Sequence, residues 1–296
     1  MFRKSMVAYV SLAVATGFAV AADTPPTGSK FSAAEIVEKN VAARGGLQAW
    51  RAVQTMSLAG KLGAGGNQRA ALPTPVGSKG SIRQAVAPRP AEEVQLPFLM
   101  ELKRPGKMRF ELQFNGQTAI QVYDGANGWK LRPFLNRRVV EPYTADEMKT
   151  ASVQAELDGP LVDYAAKGTQ VELAGMEKVE DRDTYKVKLT MKTGEVIHVW
   201  IDALTFLETK IEGQPRRLDG TLHPVEVYFR DYRAVNGLQI PFVLETKVLQ
   251  VAKTASGMKD PVVPPEKAII EKVVVNPKLD ESLFAKPEIG TGSNPN

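Results

Sequence analysis

The groups able to carry covalent or metal chemistry in this 296-residue chain are few: two histidines, no cysteine, and carboxylate pairs at Glu92-Glu93 and Asp181-Arg182-Asp183. Without cysteine there is no disulfide, thiolate ligand, thiol nucleophile or lipid-modified N-terminal cysteine. His198 lies in the strand-like run Val196-Ile197-His198-Val199-Trp200, and His223 precedes Pro224. With no third histidine and no H-x-x-x-H spacing, the two do not read as a metal site. The carboxylate pairs have no base identifiable beside them and read as solvated turn charge. Gly63-Ala64-Gly65-Gly66 lacks the Lys and Ser/Thr that complete a phosphate cradle, and no G-x-S-x-G nucleophile turn occurs. The residues therefore give no catalytic constellation, no metal site and no cofactor, and the chain is not expected to be an enzyme.

Burial is the remaining resource, and strand periodicity shows where it lies. In Thr184 to Met191, Tyr185, Val187, Leu189 and Met191 alternate with Lys186, Lys188 and Thr190. Met108, Phe110, Leu112 and Phe114 alternate in the same way with Arg109, Glu111 and Gln113, and Leu238, Ile240, Phe242 and Leu244 behave likewise across Gln239 and Glu245. Period two with one apolar face marks half-buried strands. About a dozen such runs follow one another, punctuated by Asn115-Gly116, Asp124-Gly125, Thr193-Gly194 and Asn236-Gly237, with no βαβ alternation. The expected fold is mainly β: a strongly curved antiparallel sheet, a half-open incomplete barrel, with helices over its concave apolar side.

The helices are marked by their caps. Ser32 with Glu35, and Thr144 with Glu147, each make a capping box; Gly45-Gly46 stops the first helix, and Pro160 suggests a further short helix over residues 160–168. Ahead of them, Arg3 and Lys4 precede an apolar run from Met6 to Val20 that ends at Ala19-Val20-Ala21, the order of a secretory signal, too short to span a membrane comfortably. Cleavage after Ala21 would lower the formal net charge of +5 by two. The remaining charge is scattered, so no nucleic-acid partner is expected. The chain divides into a signal peptide (1–21), a flexible leader (22–30), one domain (31–287) and a flexible tail (288–296). A loop insertion is expected over 63–97, which holds five of the 24 glycines and five of the 20 prolines. A monomer exported to the periplasm is expected.

One resemblance runs through this pattern. Lys103-Arg104-Pro105, then Val122-Tyr123-Asp124-Gly125-Ala126-Asn127-Gly128-Trp129, then Pro133-Phe134, resembles the K-R-P, V-x-D-G-x-x-x-W and P-F succession of LolA-type periplasmic lipoprotein carriers. Phe284-Ala285-Lys286-Pro287-Glu288-Ile289-Gly290 is similar to that family's closing F-x-x-P-x-x-G, and Phe229-Arg230-Asp231-Tyr232 through Ile240-Pro241-Phe242 resembles the broader LolA/LolB-like outer-membrane lipoprotein-sorting group. The resemblance implies a cavity for the acyl chains of lipoproteins or another lipid, received from an inner-membrane exporter and passed to an outer-membrane acceptor. It also implies that Arg104 latches a helical lid, and strand parity separately puts Arg104 at the rim of the apolar face with Met100 and Leu102. The other candidate cavity residues are Phe110, Leu112, Val122 and Trp129 on one side, and Val187, Leu189 and Phe242 on the other. The alternative reading is a periplasmic lipid or lipoprotein sensor that regulates an inner-membrane partner protein.

Overall fold

The computed structural model describes residues 30–65, 93–133, 137–218, 220–251 and 263–288. The expected signal segment, the leader up to residue 29, residues 66–92 and the tail from 289 onward lie outside the described residues. Helix α1 (Ala33–Ala43) starts at the foreseen capping box: the Glu35 amide donates to Ser32 Oγ at 3.3 Å, and the Ser32 amide donates back to Glu35 Oε2 at 2.7 Å. It ends at Arg44, after which Gly45 and Gly46 take φ of 116° and 92° and turn the chain into α2 (Leu47–Ala52).

Six strands follow: β1 (Thr55–Gly65), β2 (Glu93–Lys103), β3 (Lys107–Phe114), β4 (Gln117–Tyr123), β5 (Gly128–Arg132) and β6 (Arg137–Pro142). Then come α3 (Ala145–Gln154), β7 (Gln170–Val179), β8 (Arg182–Thr190), β9 (Val196–Asp202), β10 (Glu208–Leu218), β11 (Thr221–Val235), β12 (Leu238–Val248), β13 (Glu266–Val275) and a 3₁₀ turn at Glu281–Phe284. The 63–97 stretch is strand at both ends, because Gly63 pairs with Gln95 and Gly65 with Glu93; backbone pairing across the ladder outweighs the glycine and proline content there. The helix expected from Pro160 is instead a series of hydrogen-bonded turns through Gly168, since Gly159 and Asp163 take φ of 74° and 54°, outside the helical region. β6 had no separate sequence signal.

All thirteen strands form one antiparallel sheet in the order β6-β5-β4-β3-β2-β1-β13-β12-β11-β10-β9-β8-β7, not closed on itself. The first and last strands pair at its centre, Met56 against Val275, with a register shift at Gly60. Gln121 of β4 and Val199 of β9 are eight places apart in this order, yet line one cavity. A flat sheet would hold them about 38 Å apart at ~4.8 Å per strand, so the sheet curls strongly, as its one-sided apolar pattern requires. Helix α1 fills one arm of the hollow: Ile36 and Val37 share a core with Tyr185, Val187, Leu189 and Ile201. Over the other arm lie α3 and the turns that follow it. On the convex side the 3₁₀ turn docks through Arg109, which donates to Leu283 O at 3.1 Å, and through Lys107 to Glu281 at 2.7 Å.

Candidate functional site

Between the sheet and its cover lies a cavity of about 580 Å³, within the ~300–1,000 Å³ typical of small-molecule sites. It runs along the strands. At one end Met56, Leu102 and Ile240 line it; at the other Leu62, Phe98, Ala268 and Thr246 do. Met56 to Leu62 is six residues of β1, or about 20 Å at ~3.4 Å per residue. The walls are mostly aliphatic and aromatic, with Phe98 and Phe110 stacked at 5.8 Å between centroids and Gln121, Gln154, Glu156 and Thr246 interspersed. Val153, Leu157 and Leu161 of the cover form the roof.

The end near Leu102 carries a polar cluster. The Gly45-Gly46 corner positions it: a Cβ on Gly45 would fall 2.4 Å from Gly237 O, so only glycine lets α1 end against the β11–β12 hairpin, where the Gln239 amide donates to Arg44 O at 3.0 Å. Arg44 then points into the hollow with its guanidinium 4.3 Å over the Trp50 ring. Its Nη1 donates to Glu208 Oε1 at 3.1 Å and to Asp158 O at 3.0 Å. The Tyr232 hydroxyl lies 3.1 Å from Glu208 O and 3.2 Å from Glu208 Oε2; burial, reinforced by the Glu208 charge, pushes the phenol well above its ordinary pKa, so it stays a donor.

A second arginine bridges α2 and the turns after α3. Arg104 Nε donates to Val53 O at 2.7 Å, and Nη2 reaches Asp158 Oδ2 at 2.6 Å and Trp50 O at 3.3 Å. Asp158, only 3% exposed, also accepts from Lys167 Nζ at 2.8 Å. Burial pushes the Asp158 carboxyl up, but hydrogen bonds from Lys167 and Arg104 outweigh it and hold the group below the usual aspartate range. Arg51 clamps Asp163 with two bonds at 2.9 and 2.6 Å. Three arginines from the α1–α2 corner and the end of β2 thus converge on the turns after α3.

The residues singled out in the sequence divide into three groups. Met100, Leu102 and Phe110 line the cavity. Leu112, Val187, Leu189 and Phe242 share the concave core without lining the cavity, because α1 covers β8 and the Arg233 guanidinium caps Phe242 at 4.4 Å. Val122 and Trp129 do not face the cavity. Gln121 lines it and Tyr123 joins the concave core, so their neighbour Val122 points to the convex side, with its cross-strand partner Trp129. His198 is also convex: its Nδ1 lies 2.9 Å from Glu212 Oε2, and no serine or threonine hydroxyl bonds to it among the described residues. Arg44, Glu208 and Asp158 carried no sequence signal beyond the Gly45-Gly46 stop after Arg44, and Tyr232 was marked only as the end of the Phe229-Arg230-Asp231-Tyr232 motif. No group of three acidic, histidine or cysteine side chains able to hold a metal occurs among the described residues.

No protein-family model matches the chain, and no curated protein does. Solved structures do. A DUF1329 family protein from Desulfovibrio piger superposes with a TM-score of 0.50 at 14% identity, over 86% of this chain and 97% of that one. The likeness is one of fold alone, an antiparallel sheet curled into an open half-barrel. A LolA superfamily protein from Nitrosomonas europaea (TM-score 0.49, 13% identity) and a putative outer membrane lipoprotein-sorting protein domain from Vibrio parahaemolyticus (TM-score 0.49, 12% identity) also align over 86% of this chain, and over 98% and 96% of their own. In this fold the hollow of the sheet is a concave, mostly apolar, ligand-sized space beneath a cover.

Proposed function

We propose that the protein is a periplasmic carrier that shelters the acyl chain of a lipoprotein or another lipid during its passage to the outer membrane, between an inner-membrane exporter and an outer-membrane acceptor. The observation that carries this reading is the cavity itself, about 580 Å³ in volume, with mostly aliphatic and aromatic walls, under a cover held by Arg104. Its length along β1 suits an extended alkyl chain. Each buried methylene contributes ~0.8 kcal/mol, so a chain of a dozen or more carbons would bind tightly unless loading carried a cost. Breaking the Arg104 contact to Asp158 is such a cost, and it makes release feasible. The secretory signal read over residues 1–21 supplies the compartment. No covalent step is involved.

Native mass spectrometry of the mature chain purified from a bacterial periplasm, with solvent extraction of any adduct, tests the reading. A lipid-mass adduct lost on denaturation is expected. A clean protein mass, with no uptake from lipid vesicles or detergent-presented lipoprotein, would overturn it. Recovery at fixed stoichiometry with one inner-membrane protein would favour the sensor reading over the carrier.

A further inference from the structure

We infer that the closed end of the cavity is a carboxylate-binding site, so that the cavity takes a single-chain fatty acid carboxyl-first, with Arg44 as the residue that receives its head. This rests on the reading of the hollow as a lipid cavity and adds which end of the lipid goes in. An acyl carrier with purely apolar walls would take the tail inward and leave the head at the mouth.

Arg44 decides the orientation. Its side chain is 11% exposed and lines the cavity, yet only Nη1 is engaged, by Glu208 Oε1 and Asp158 O. Nε and Nη2 have no hydrogen-bond partner among the described residues, which leaves three of the five guanidinium N–H groups unmet in a largely buried place. Nε–H and Nη2–H together form the side of the guanidinium that matches the two oxygens of a carboxylate. The Trp50 face holds the guanidinium plane at 4.3 Å, so the fork is fixed before a ligand arrives.

The rest of the cluster needs no further donor. Both Glu208 oxygens have partners, Oε1 in Arg44 and Oε2 in Tyr232, and Asp158 is taken by Arg104 and Lys167. An oxygen acceptor is therefore the group this end lacks. A methyl terminus there would leave the Arg44 donors without partners and dry, which is unfavourable. From this floor Leu58, Met100, Phe98 and Leu244 make a mostly apolar path to the mouth, about 20 Å along β1 at ~3.4 Å per residue; Gln121, Gln154, Thr246 and Glu156, the last paired with Lys167 at 2.8 Å, are the other polar side chains of the lining. The site thus has a polar stop and a hydrocarbon barrel in the order that a fatty acid entering head-first would meet them.

The test uses the full mature protein and two probes with one chain length and opposite heads, dodecanoate and dodecyltrimethylammonium, below their micellar concentrations. Calorimetry is expected to give at least tenfold tighter binding of dodecanoate, and Glu208→Gln, which removes the competing carboxylate but keeps an acceptor, is expected to widen that ratio. Carbon-13 relaxation with a soluble gadolinium chelate then locates the ends of bound dodecanoate labelled at C1 or C12. Stronger relaxation of C12 than of C1 is expected; the reverse overturns the inference. Equal affinity for the two heads, unchanged in Glu208→Gln, overturns it as well while leaving the lipid cavity standing. Failure of both probes to bind overturns the cavity reading and the inference together.

Discussion

Replacing Arg104 by Leu removes the guanidinium that ties the cover to α2 while keeping an aliphatic stem at the rim. Three contacts go: Nε to Val53 O at 2.7 Å, Nη2 to Asp158 Oδ2 at 2.6 Å and Nη2 to Trp50 O at 3.3 Å. Hydrogen bonds to charged groups contribute ~1.5–3 kcal/mol net when shielded. Because the Arg104 side chain is 28% exposed, the low end applies: about 1.5 kcal/mol for the Asp158 bond, ~1 kcal/mol for Val53 O and little for the long third contact. Only the Asp158 bond crosses to the cover, so the closed cover should lose about 1.5 kcal/mol, roughly a twelvefold change in its opening equilibrium. Asp158 keeps Lys167 as a partner, so the segment should loosen without unfolding. Hydrogen exchange reads this directly, since the amides of Ala155, Lys167 and Thr169 are hydrogen-bonded within the cover region. Their exchange should speed up by about twelvefold, while amides in the β8–β9 ladder keep wild-type rates. Arg104→Lys, with one point charge in place of a fork, should fall between the two. Cover amides that stay within about threefold of wild type, or a loss of protection spread evenly over the sheet, would refute the assignment of Arg104 as a local latch.

Three further outcomes follow from the same geometry. Asp158 has its pKa lowered in the folded state, so its contribution is fully present above the ordinary aspartate pKa of ~3.9 and is lost as pH falls through its lower folded value; urea melts across that range should show the loss, and Asp158→Asn should remove it. Gly45→Ala should destabilise the chain by about 1–3 kcal/mol or more, because its Cβ would meet Gly237 O at 2.4 Å on a residue with φ of 116°, and a denaturant midpoint measures this. Ala268→Trp fills the mouth of the cavity from a half-buried position, so uptake of an alkyl probe should fall at least tenfold while the thermal midpoint stays within a few degrees.

Local signals in the sequence located most of the elements. Both capping boxes sit where Ser32 with Glu35 and Thr144 with Glu147 place them. The Asn115-Gly116 and Asn236-Gly237 turns have positive φ at both residues, as tight hairpins need. Parity worked where a strand has one wet face, as along Met100 and Leu102, and failed in β4, where both faces are apolar. Val122 is fully buried on the convex face and Tyr123 is buried on the other, and in a strand covered on both sides alternation does not say which side is the hollow. Val187 and Leu189 were assigned to the right face but not to the cavity, because α1 fills that arm, which is a fact of packing and not of strand pattern. The polar floor was out of reach for a similar reason. Arg44 and Glu208 are 164 positions apart and Arg104 and Asp158 are 54 apart, and only the curl of the sheet brings each pair together.

The strand order has a mechanical consequence. The two free edges of the sheet, β6 and β7, are consecutive in the chain, and the stretch that joins them is the cover, with α3 and its turns. The cover is thus strung between the rims like a bowstring, and the width of the hollow and the tension in the string vary together. A bulky guest that spreads the arms pulls on Asp158 and Asp163, where the arginines grip, and a released grip lets the arms spread. No strand pairing crosses that string. A single proteolytic cut between β6 and β7 would therefore leave all twelve ladders closed, with the halves held at the seam where β1 meets β13, and would uncouple the cover from the width of the hollow.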